Sequence, residues 1–297
     1  MLSNPLSGSV NGNAWLDSAR RRLGERIGRW TEVMVRSGEN ITALTQELLP
    51  EASTLFVAGG DGTVRAAAQA LRGTDVPLAI LPTGTVNVLA RELGIPLSDP
   101  GAAVDLGLSG EERRIDMGLC NDEPFLLVCS GGVDSATVSQ VNEGLKSAVG
   151  ATAYAFAAFG ALATFTPPTV RITIDGRALP ETDIFLVAVG NTSLYGGDLR
   201  LLPAASLEDG LLDIAIFTAP ALPASVRNAA FLPQLADAAL GRHALSDNVW
   251  IYQGKHITLE CDEPLLLQRD GDLGESTPAT FTVAPQALRV KAPTLYR

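Results

Sequence analysis

STLFVAGGDGTVRAAAQAL, residues 53–71, runs from an apolar segment through a glycine turn into an alanine-rich segment. Residues 55–58 are typical of a strand that is buried on both faces of a parallel sheet. Residues 64–71 predict a helix. A helix that starts at such a turn presents backbone N–H groups and the positive end of its dipole, and both favour a bound anion. Glycine also lets the backbone approach phosphate oxygens closely, because it has no Cβ atom. The turn at residues 59–63 therefore predicts a phosphate-binding site.

The residues around this turn exclude two common phosphate-binding motifs. A Walker loop needs Gly-Lys-Ser/Thr, but the lysines of this chain, Lys146, Lys255 and Lys291, all lie far downstream. The G-x-G-x-x-G spacing of a dinucleotide fingerprint is also absent. A carboxylate beside phosphates is repelled unless a cation lies between them, so Asp61 indicates Mg²⁺, bound through water. The alternative is an ordinary glycine-rich turn in which Asp61 is the helix N-cap.

A second strand-turn-helix unit follows the first. Residues 78–81 predict a buried strand, residues 82–85 a turn, and residues 86–93 a helix that ends before Gly94. Two such units in succession predict a parallel sheet whose ligand-binding loops lie beyond the carboxyl ends of the strands. Thr85 and Asn87 are therefore expected to face the same ligand as Asp61.

An arginine-rich helix is predicted near the start of the chain. Residues 14–30 carry apolar side chains at helical spacing, with arginines mostly on the opposite side. We favour a solvated face for these arginines, with anionic lipid headgroups as the alternative partner. A strand at residues 32–36 and a helix at residues 41–49 follow.

The second half of the chain changes from strand-helix alternation to strand after strand. The predicted strands cover residues 114–116, 125–129, 170–175, 184–189, 212–217, 256–261, 265–268, 280–283 and 288–290. Helices are predicted at residues 148–165 and near residues 224–241. We therefore predict an α/β N-terminal domain with a parallel sheet, residues 1–117, and a mainly antiparallel β-sandwich C-terminal domain, residues 118–297. The extreme C-terminal tail is expected to return to the first domain.

Composition narrows the class of protein. A chain of 297 residues with 46% hydrophobic residues can bury a sizeable core, and its net charge of −11 argues against nucleic acid as a partner. The three cysteines show no metal-ligand spacing, so we expect them to be reduced and largely buried in a cytoplasmic protein. The first residues show no signal peptide. Residues 148–165 are uncharged, but their Ala, Gly and Thr content favours a buried helix over a transmembrane segment.

Five motifs, in order, resemble those of the diacylglycerol kinase catalytic-domain family, in its bacterial soluble lipid kinase branch. They are Asn4-Pro5-Leu6-Ser7-Gly8 for N-P-x-S-G, residues 59–63 for G-G-D-G-T, residues 82–87 for P-x-G-T-x-N, residues 209–213 for D-G-x-L-D, and Asp270-Gly271-Asp272 for D-G-E. The first of these lies almost at the start of the chain and the last near its end. G-G-D-G-T alone is shared with NAD kinases, whereas the ordered set is highly specific.

The resemblance implies a nucleotide site and two cation sites, in a cleft between the two domains. ATP would be held by Asn4, Gly59, Gly60, Asp61, Gly62, Thr63, Thr85 and Asn87. Asp61 and Asp116 would organise the nucleotide-bound Mg²⁺ through water. A second, structural cation would take Ser206, Asp209 and the backbone carbonyl of Leu211, where an ordinary Asp-Gly hairpin turn is the alternative reading.

The resemblance also implies a general base, with one departure. The family's Glu is Asp272 here, which is one methylene shorter, so either the loop moves inward, or Glu275 takes the role, or the activity is impaired. We favour the first, since Gly271 and Gly274 flank Asp272 and make this backbone adjustable. Val88 is a second departure, because many relatives carry Asp there.

The implied function is an ATP-dependent kinase for a lipid hydroxyl, in diacylglycerol, a sphingoid base or ceramide. The enzyme would act peripherally at a membrane surface, with a homodimer possible, and residues 148–165 would line the acyl chain or simply pack in the core. Two alternatives remain open: a kinase for a soluble small molecule, similar to NAD kinase, and a non-catalytic lipid-binding protein.

Overall fold

The computed structural model describes residues 1–6, 12–140, 162, 164–197 and 199–294. The chain forms two compact units. The first comprises Met1–Met117, Leu207–Asp209 and Ala284–Arg297, and the second comprises Gly118–Ser206 and Gly210–Val283. The chain therefore passes between the units several times, and each unit is described by itself.

The first unit alternates strands and helices along its N-terminal part. In order they are β1 (Leu2–Ser3), α1 (Gly12–Arg26), β2 (Val33–Met34), α2 (Ile41–Leu48), a 3₁₀ turn (Leu49–Glu51), β3 (Leu55–Gly59), α3 (Asp61–Leu71), β4 (Leu78–Pro82), α4 (Val88–Glu92) and α5 (Pro100–Ser109).

The strands of this unit form the predicted parallel sheet. β1 pairs in parallel with β2 and β3, and β3 pairs in parallel with β4, where Gly59 is opposite Pro82. Every residue of β3 and β4 is buried, as expected for strands covered on both faces. Because parallel strands end at the same edge, this register brings the two glycine turns side by side.

Helix α5 is absent from the sequence prediction, although its start signal is present. Asp99 is the N-cap and its side chain accepts the N–H of Ala102 at 2.9 Å, with Pro100 at the first helical position. α5 packs against α1 and β4 and so helps to cover one face of the sheet.

The arginines of α1 form ion pairs. Arg20 contacts Glu32 at 2.7 Å and Arg22 contacts Asp105 at 2.6 Å. Arg26 also contacts Asp105, and α1 ends at this residue, four positions before the predicted end. These three guanidinium groups are thus paired with carboxylates of their own unit.

The second unit is built mostly of strands. They are β5 (Glu111–Cys120), β6 (Glu123–Phe125), β7 (Val128–Gly132), β8 (Thr169–Ile174), β9 (Arg177–Ala178), β10 (Thr182–Gly190), β11 (Leu194–Tyr195), β12 (Leu199–Arg200), β13 (Leu212–Thr218), β14 (Val249–Gly254), β15 (His256–Cys261), β16 (Leu266–Arg269), β17 (Asp272–Ser276) and β18 (Ala279–Ala292). Its helices are α6 (Val133–Gln140), α7 (Ala224–Arg227) and α8 (Phe231–Ala239), with 3₁₀ turns at Asn228–Ala230 and His243–Leu245. The first residues of β5 and the last of β18 belong to the first unit, where Val290 pairs in parallel with Leu78.

Two antiparallel layers make the predicted sandwich. One layer has the order β17-β16-β7-β10-β13-β14, and the other joins β8, β15 and β18. β10 takes part in both, since Thr182 and Asp183 pair with β8 while its later residues pair with β7 and β13. Isoleucines, valines and phenylalanines of both layers form one buried core.

Several predicted elements of this half differ in the structure. The helix predicted near residues 224–241 is divided into α7, a 3₁₀ turn and α8, and the two last predicted strands are parts of the single strand β18. The helix predicted at residues 148–165 lies outside the described residues, apart from positions 162, 164 and 165.

The cysteines are free, and Cys120 and Cys129 are buried. Among the described helices, none is both long and apolar enough to cross a bilayer.

Candidate active site

Gly84 brings the second turn into backbone contact with the first, and Gly59 packs within the first turn. A Cβ atom at Gly84 would lie 2.4 Å from the Cα of Gly60, and one at Gly59 would lie 2.5 Å from the Cβ of Thr63. The N–H of Thr83 also donates to the carbonyl of Gly59 at 3.2 Å. Glycine is therefore required at positions 59 and 84 by the packing of the protein itself.

Asp61 joins the first turn to the second helix. It is the first residue of α3, whose N-cap is Gly60, so it is not the cap of its own helix. Its carboxylate instead accepts the N–H groups of Val88 at 3.0 Å and Leu89 at 3.1 Å, at the start of α4. Burial raises the pKa of Asp61, and these backbone N–H groups oppose that shift. The carboxylate therefore caps α4.

Two asparagines fix the neighbouring backbone. Asn87 is buried in the left-handed conformation (φ 54°), where its side chain exchanges two hydrogen bonds with the backbone of Gly84. Asn4, which follows β1, donates through Nδ2 to Thr63 Oγ1 at 2.9 Å. The side chains of Asn87 and Asp61 both contact protein groups, and a ligand shared by Asp61, Thr85 and Asn87 stays a prediction.

Gly62 and Thr85 are the exposed members of the two turns. A Cβ atom at Gly62 would have no atom within 4 Å, so this glycine, unlike Gly59 and Gly84, is not required by protein packing. Gly62 is the second residue of α3, where backbone N–H groups have no partner within the helix. The space beside this helix start suits a bound phosphate group.

Asp116 lies on β5 and is buried. Its Oδ1 accepts the N–H of Gln286 at 2.7 Å, and its own N–H donates to the carbonyl of Leu207 at 2.7 Å. Gln286 has a positive φ of 52°, at the point where β18 continues into the first unit. Asp116 thus positions the backbone of the returning C-terminal strand.

The residues expected at the second cation site lie on the turn that enters β13. Ser206, Asp209 and Leu211 bracket Gly210, which has φ 71° as an Asp-Gly turn requires. A hydroxyl, a carboxylate and a carbonyl oxygen are hard donors of the type that Mg²⁺ takes. Within the described ranges, no group of three or more His, Cys, Asp or Glu side chains is arranged to hold a metal.

Asp272 is exposed at the start of β17, directly after a tight hairpin turn. Asp270 and Gly271 form this turn with φ of 49° and 91°. The carboxylate of Asp270 accepts three backbone N–H groups, those of Leu126 and Leu127 at 2.9 Å and Val128 at 3.1 Å. These bonds hold the turn that precedes Asp272, and the adjustability that Gly271 and Gly274 give to Asp272 itself stays a prediction.

A buried polar network behind this hairpin is absent from the sequence prediction. Gln268 accepts the N–H of Gly271 at 2.6 Å and donates to Ser130, which in turn donates to Asp134. Tyr195 donates its hydroxyl to the same Asp134 oxygen at 2.7 Å. Burial raises the pKa of Asp134, against the effect of these donors. The network thus connects the turn before Asp272 to the start of α6.

A sequence signal for this network exists. Ser130-Gly131-Gly132-Val133-Asp134 is a further strand-glycine-helix turn, in which β7 leads into α6. Gly132 has φ 128°, and a Cβ atom there would lie 2.2 Å from the carbonyl oxygen of Phe185. Gln268 and Tyr195, the other members of the network, belong to no comparable sequence pattern, because they reach Ser130 and Asp134 from distant strands.

Two family models match the chain and together span most of it. Residues 1–120 match the diacylglycerol kinase catalytic domain, and residues 127–292 match the YegS C-terminal NAD kinase beta sandwich-like domain. The division between the two models falls close to the start of the second compact unit.

Relatives match over nearly the full length. A diacylglycerol kinase of Mycobacterium tuberculosis strain H37Rv is 32% identical over 98% of this chain and 94% of its own. A diacylglycerol kinase of Bacillus subtilis is 29% identical over 89% and 85%.

Solved structures show the same fold at lower identity. A diacylglycerol kinase structure from Bacillus anthracis has a TM-score of 0.75 at 22% identity, covering 98% of this chain and 95% of that one. An NAD kinase from Archaeoglobus fulgidus in complex with ATP has a TM-score of 0.52 at 12% identity, covering 98% and 92%. With the full-length relatives and both family models in agreement, the chain belongs to the diacylglycerol kinase catalytic-domain family.

Proposed function

We propose that this protein is an ATP-dependent lipid kinase, which transfers the γ-phosphate of ATP to a hydroxyl group of diacylglycerol, a sphingoid base or ceramide. The observation that carries the proposal is the contrast among the glycines of the two turns. Gly59 and Gly84 serve protein packing, whereas Gly62 borders open space at the start of α3. A phosphate group bound at this helix start would occupy that space.

The nucleotide would be held by the two joined turns. In this proposal Gly59, Gly60, Gly62 and Thr63 present the helix start to the phosphates, with Asn4, Thr85 and Asn87 beside them. Asp61 and Asp116 would hold Mg²⁺ through water. A carboxylate has about four acceptor positions, so one that binds backbone amides still accepts a hydrogen bond from water. When bound, Mg²⁺ neutralises charge on the phosphates during transfer.

Ser206, Asp209 and the Leu211 carbonyl would hold a second cation that stabilises the turn before β13. This site is structural in the proposal and takes no part in the transfer. Its donors are all oxygen atoms, which fits a hard divalent cation.

Asp272 would accept the proton of the attacking lipid hydroxyl. Phosphoryl transfer depends mainly on position and charge neutralisation, so one correctly placed carboxylate suffices as the base. The hairpin that carries Asp272 is fixed by Asp270 and Gln268, which supplies the required rigidity. The proposal divides the chain into a nucleotide-binding domain, residues 1–117, and a lipid-substrate domain, residues 118–297.

The test uses the purified chain with ATP, Mg²⁺ and mixed micelles that contain each candidate lipid in turn. We expect phosphate transfer to at least one lipid hydroxyl, detected as labelled product. Gly62→Val should abolish phosphate transfer and nucleotide binding. Its unfolding temperature should change no more than that of a Gly→Val substitution elsewhere in a helix. Gly24→Val is the matched control, since Gly24 is an exposed glycine of α1 with equally open surroundings.

Two results would contradict the proposal. Transfer to a soluble nucleotide or sugar but to no lipid would assign the chain to the small-molecule kinases of this fold. Lipid binding without transfer to any acceptor would indicate a non-catalytic protein.

A further inference from the structure

Exposed large apolar side chains are concentrated in one segment of the second unit. In the described ranges, most side chains of this class lie between residues 222 and 245, and the others are Leu6, Met34 and Leu273. Leu240 is 64% exposed and Leu245 is 86% exposed. We call this set the outer leucine surface; it consists of Leu222, Val226, Leu232, Leu235, Leu240 and Leu245.

Helix α8 in this segment is apolar on both sides. Its inner side is buried through Phe231 and Ala238, and the Phe231 ring lies 4.8 Å from that of Phe185. Its outer side carries Leu232 and Leu235, three residues apart and both exposed. A surface helix normally has polar residues on its outer side, so this one is built to contact a second apolar phase.

The charge of the segment differs from that of the whole chain. The charged side chains of residues 222–245 are Arg227, Asp237 and Arg242. His243 also lies in this segment and is buried. Arg242 and Asp237 neutralise each other in an ion pair of 3.1 Å. The net charge of −11 therefore lies elsewhere in the chain. A surface without acidic excess is the part of an acidic protein that an anionic bilayer repels least.

The segment contacts the end of residues 148–165, the stretch that would either line the acyl chain or simply pack in the core. Asn228, in the 3₁₀ turn between α7 and α8, donates through Nδ2 to the carbonyl oxygens of Leu162 and Phe165, both at 2.8 Å. These two bonds hold the turn between α7 and α8 against Leu162 and Phe165.

We propose that the outer leucine surface docks onto a lipid bilayer, with its leucines among the acyl chains at the headgroup boundary. The inference rests on the proposed function, since a lipid kinase must reach a substrate that resides in a bilayer. Apolar insertion of a helix face requires no basic cluster. A second copy of the chain is the alternative occupant, and the measurements below distinguish it from a bilayer.

The first measurement is flotation of the full chain with vesicles of phosphatidylcholine containing one fifth phosphatidylglycerol. We expect Leu232→Asp/Leu235→Asp to weaken vesicle binding at least tenfold. Leu245→Asp alone should weaken it several-fold, and because this side chain is almost fully exposed, the variant folds even if the double variant does not. Met34→Asp is the matched control, an exposed methionine of β2 whose substitution should leave binding unchanged. Binding should also persist in 0.5 M NaCl, since its source is apolar.

A second measurement separates this inference from the proposed function. The variants should keep activity on a short-chain lipid dispersed as monomers and lose it on vesicles. If no lipid is ever phosphorylated, the proposed function fails, while flotation still decides the docking surface. The inference would be overturned if both leucine variants bound vesicles as strongly as the wild-type protein. It would also be overturned if light scattering showed that the wild-type protein is a dimer and the variants are monomers. Vesicle binding that is abolished by salt would overturn it too, and would point to the arginines of α1.

Discussion

The carboxylate of Asp61, on the first residue of α3, accepts the N–H of Val88, on the first residue of α4, at 3.0 Å. A second bond, from Leu89 at 3.1 Å, makes the contact bidentate. α4 has only five residues, too few to be stable as an isolated helix, so its start depends on this distant cap. The acidic residue of the glycine turn therefore has a structural role before any ligand binds.

Asp61→Asn should lower the free energy of unfolding by about 1–2 kcal/mol, because the amide has one acceptor oxygen for two N–H donors. Urea unfolding followed by tryptophan fluorescence measures this loss. Asp99→Asn is the matched control: Asp99 caps α5 through one bond, to Ala102, and Asn is an equally good N-cap. Equal effects at the two positions would contradict the bidentate role of Asp61.

Gly84→Ala should destabilise the first unit by about 1–3 kcal/mol, because the new Cβ would lie 2.4 Å from the Cα of Gly60 and backbone cannot move aside cheaply. Gly62→Ala introduces the same atom into open space and should leave the unfolding midpoint unchanged or slightly higher. Parallel thermal unfolding of the two variants makes the comparison. Similar midpoints would show that the two turns are not in firm contact.

Gln268→Ala should lower kcat about tenfold or more and leave KM for ATP nearly unchanged. The substitution removes the acceptor for the N–H of Gly271, so the hairpin before Asp272 loses one of the hydrogen bonds that hold it. A small displacement of a catalytic group lowers the reaction rate strongly. Gln268→Glu keeps an acceptor for this N–H and should restore part of the rate.

Steady-state kinetics on a micellar lipid provide the measurement for this position. Gln46→Ala serves as a control at an exposed glutamine of α2. A normal kcat in Gln268→Ala, with the protein folded, would exclude a positioning role.

The buried carboxyl group of Asp134 makes a pH prediction. Its pKa is raised in the folded protein, so between the ordinary aspartate value and this raised value the folded state holds a proton that the unfolded state has lost. Stability attributable to this group is therefore full below the unfolded pKa of about 3.9 and declines as pH rises through the folded pKa.

Asp134→Asn cannot ionise and provides the comparison. The free energy of unfolding of the wild type minus that of Asp134→Asn should fall as pH rises from 4 towards 7, measured by urea titration at low protein concentration. A difference that is constant with pH, or one that grows, would show that Asp134 ionises in the folded state as easily as in the unfolded state.

The parallel sheet and its two turns follow from local patterns in the chain. A short apolar run, a glycine and an alanine-rich helix are neighbours in sequence, so their conformations are encoded where they stand. The confirmed parallel sheet, in which Gly59 is opposite Pro82, and the confirmed family membership both rest on such patterns. The missed α5 also had a local signal, in Asp99 and Pro100.

The side-chain contacts of the candidate site depended on the tertiary structure. Asp61 is bound to the start of another helix, and the carboxylate of Asp270 binds the N–H of Leu126, 144 positions away. Neither bond leaves a periodic or spacing signal, because hydrogen bonds between distant segments form only after the strands that carry them have packed. For the same reason the outer leucine surface is invisible in composition: whether a leucine is covered or exposed is a property of the folded chain.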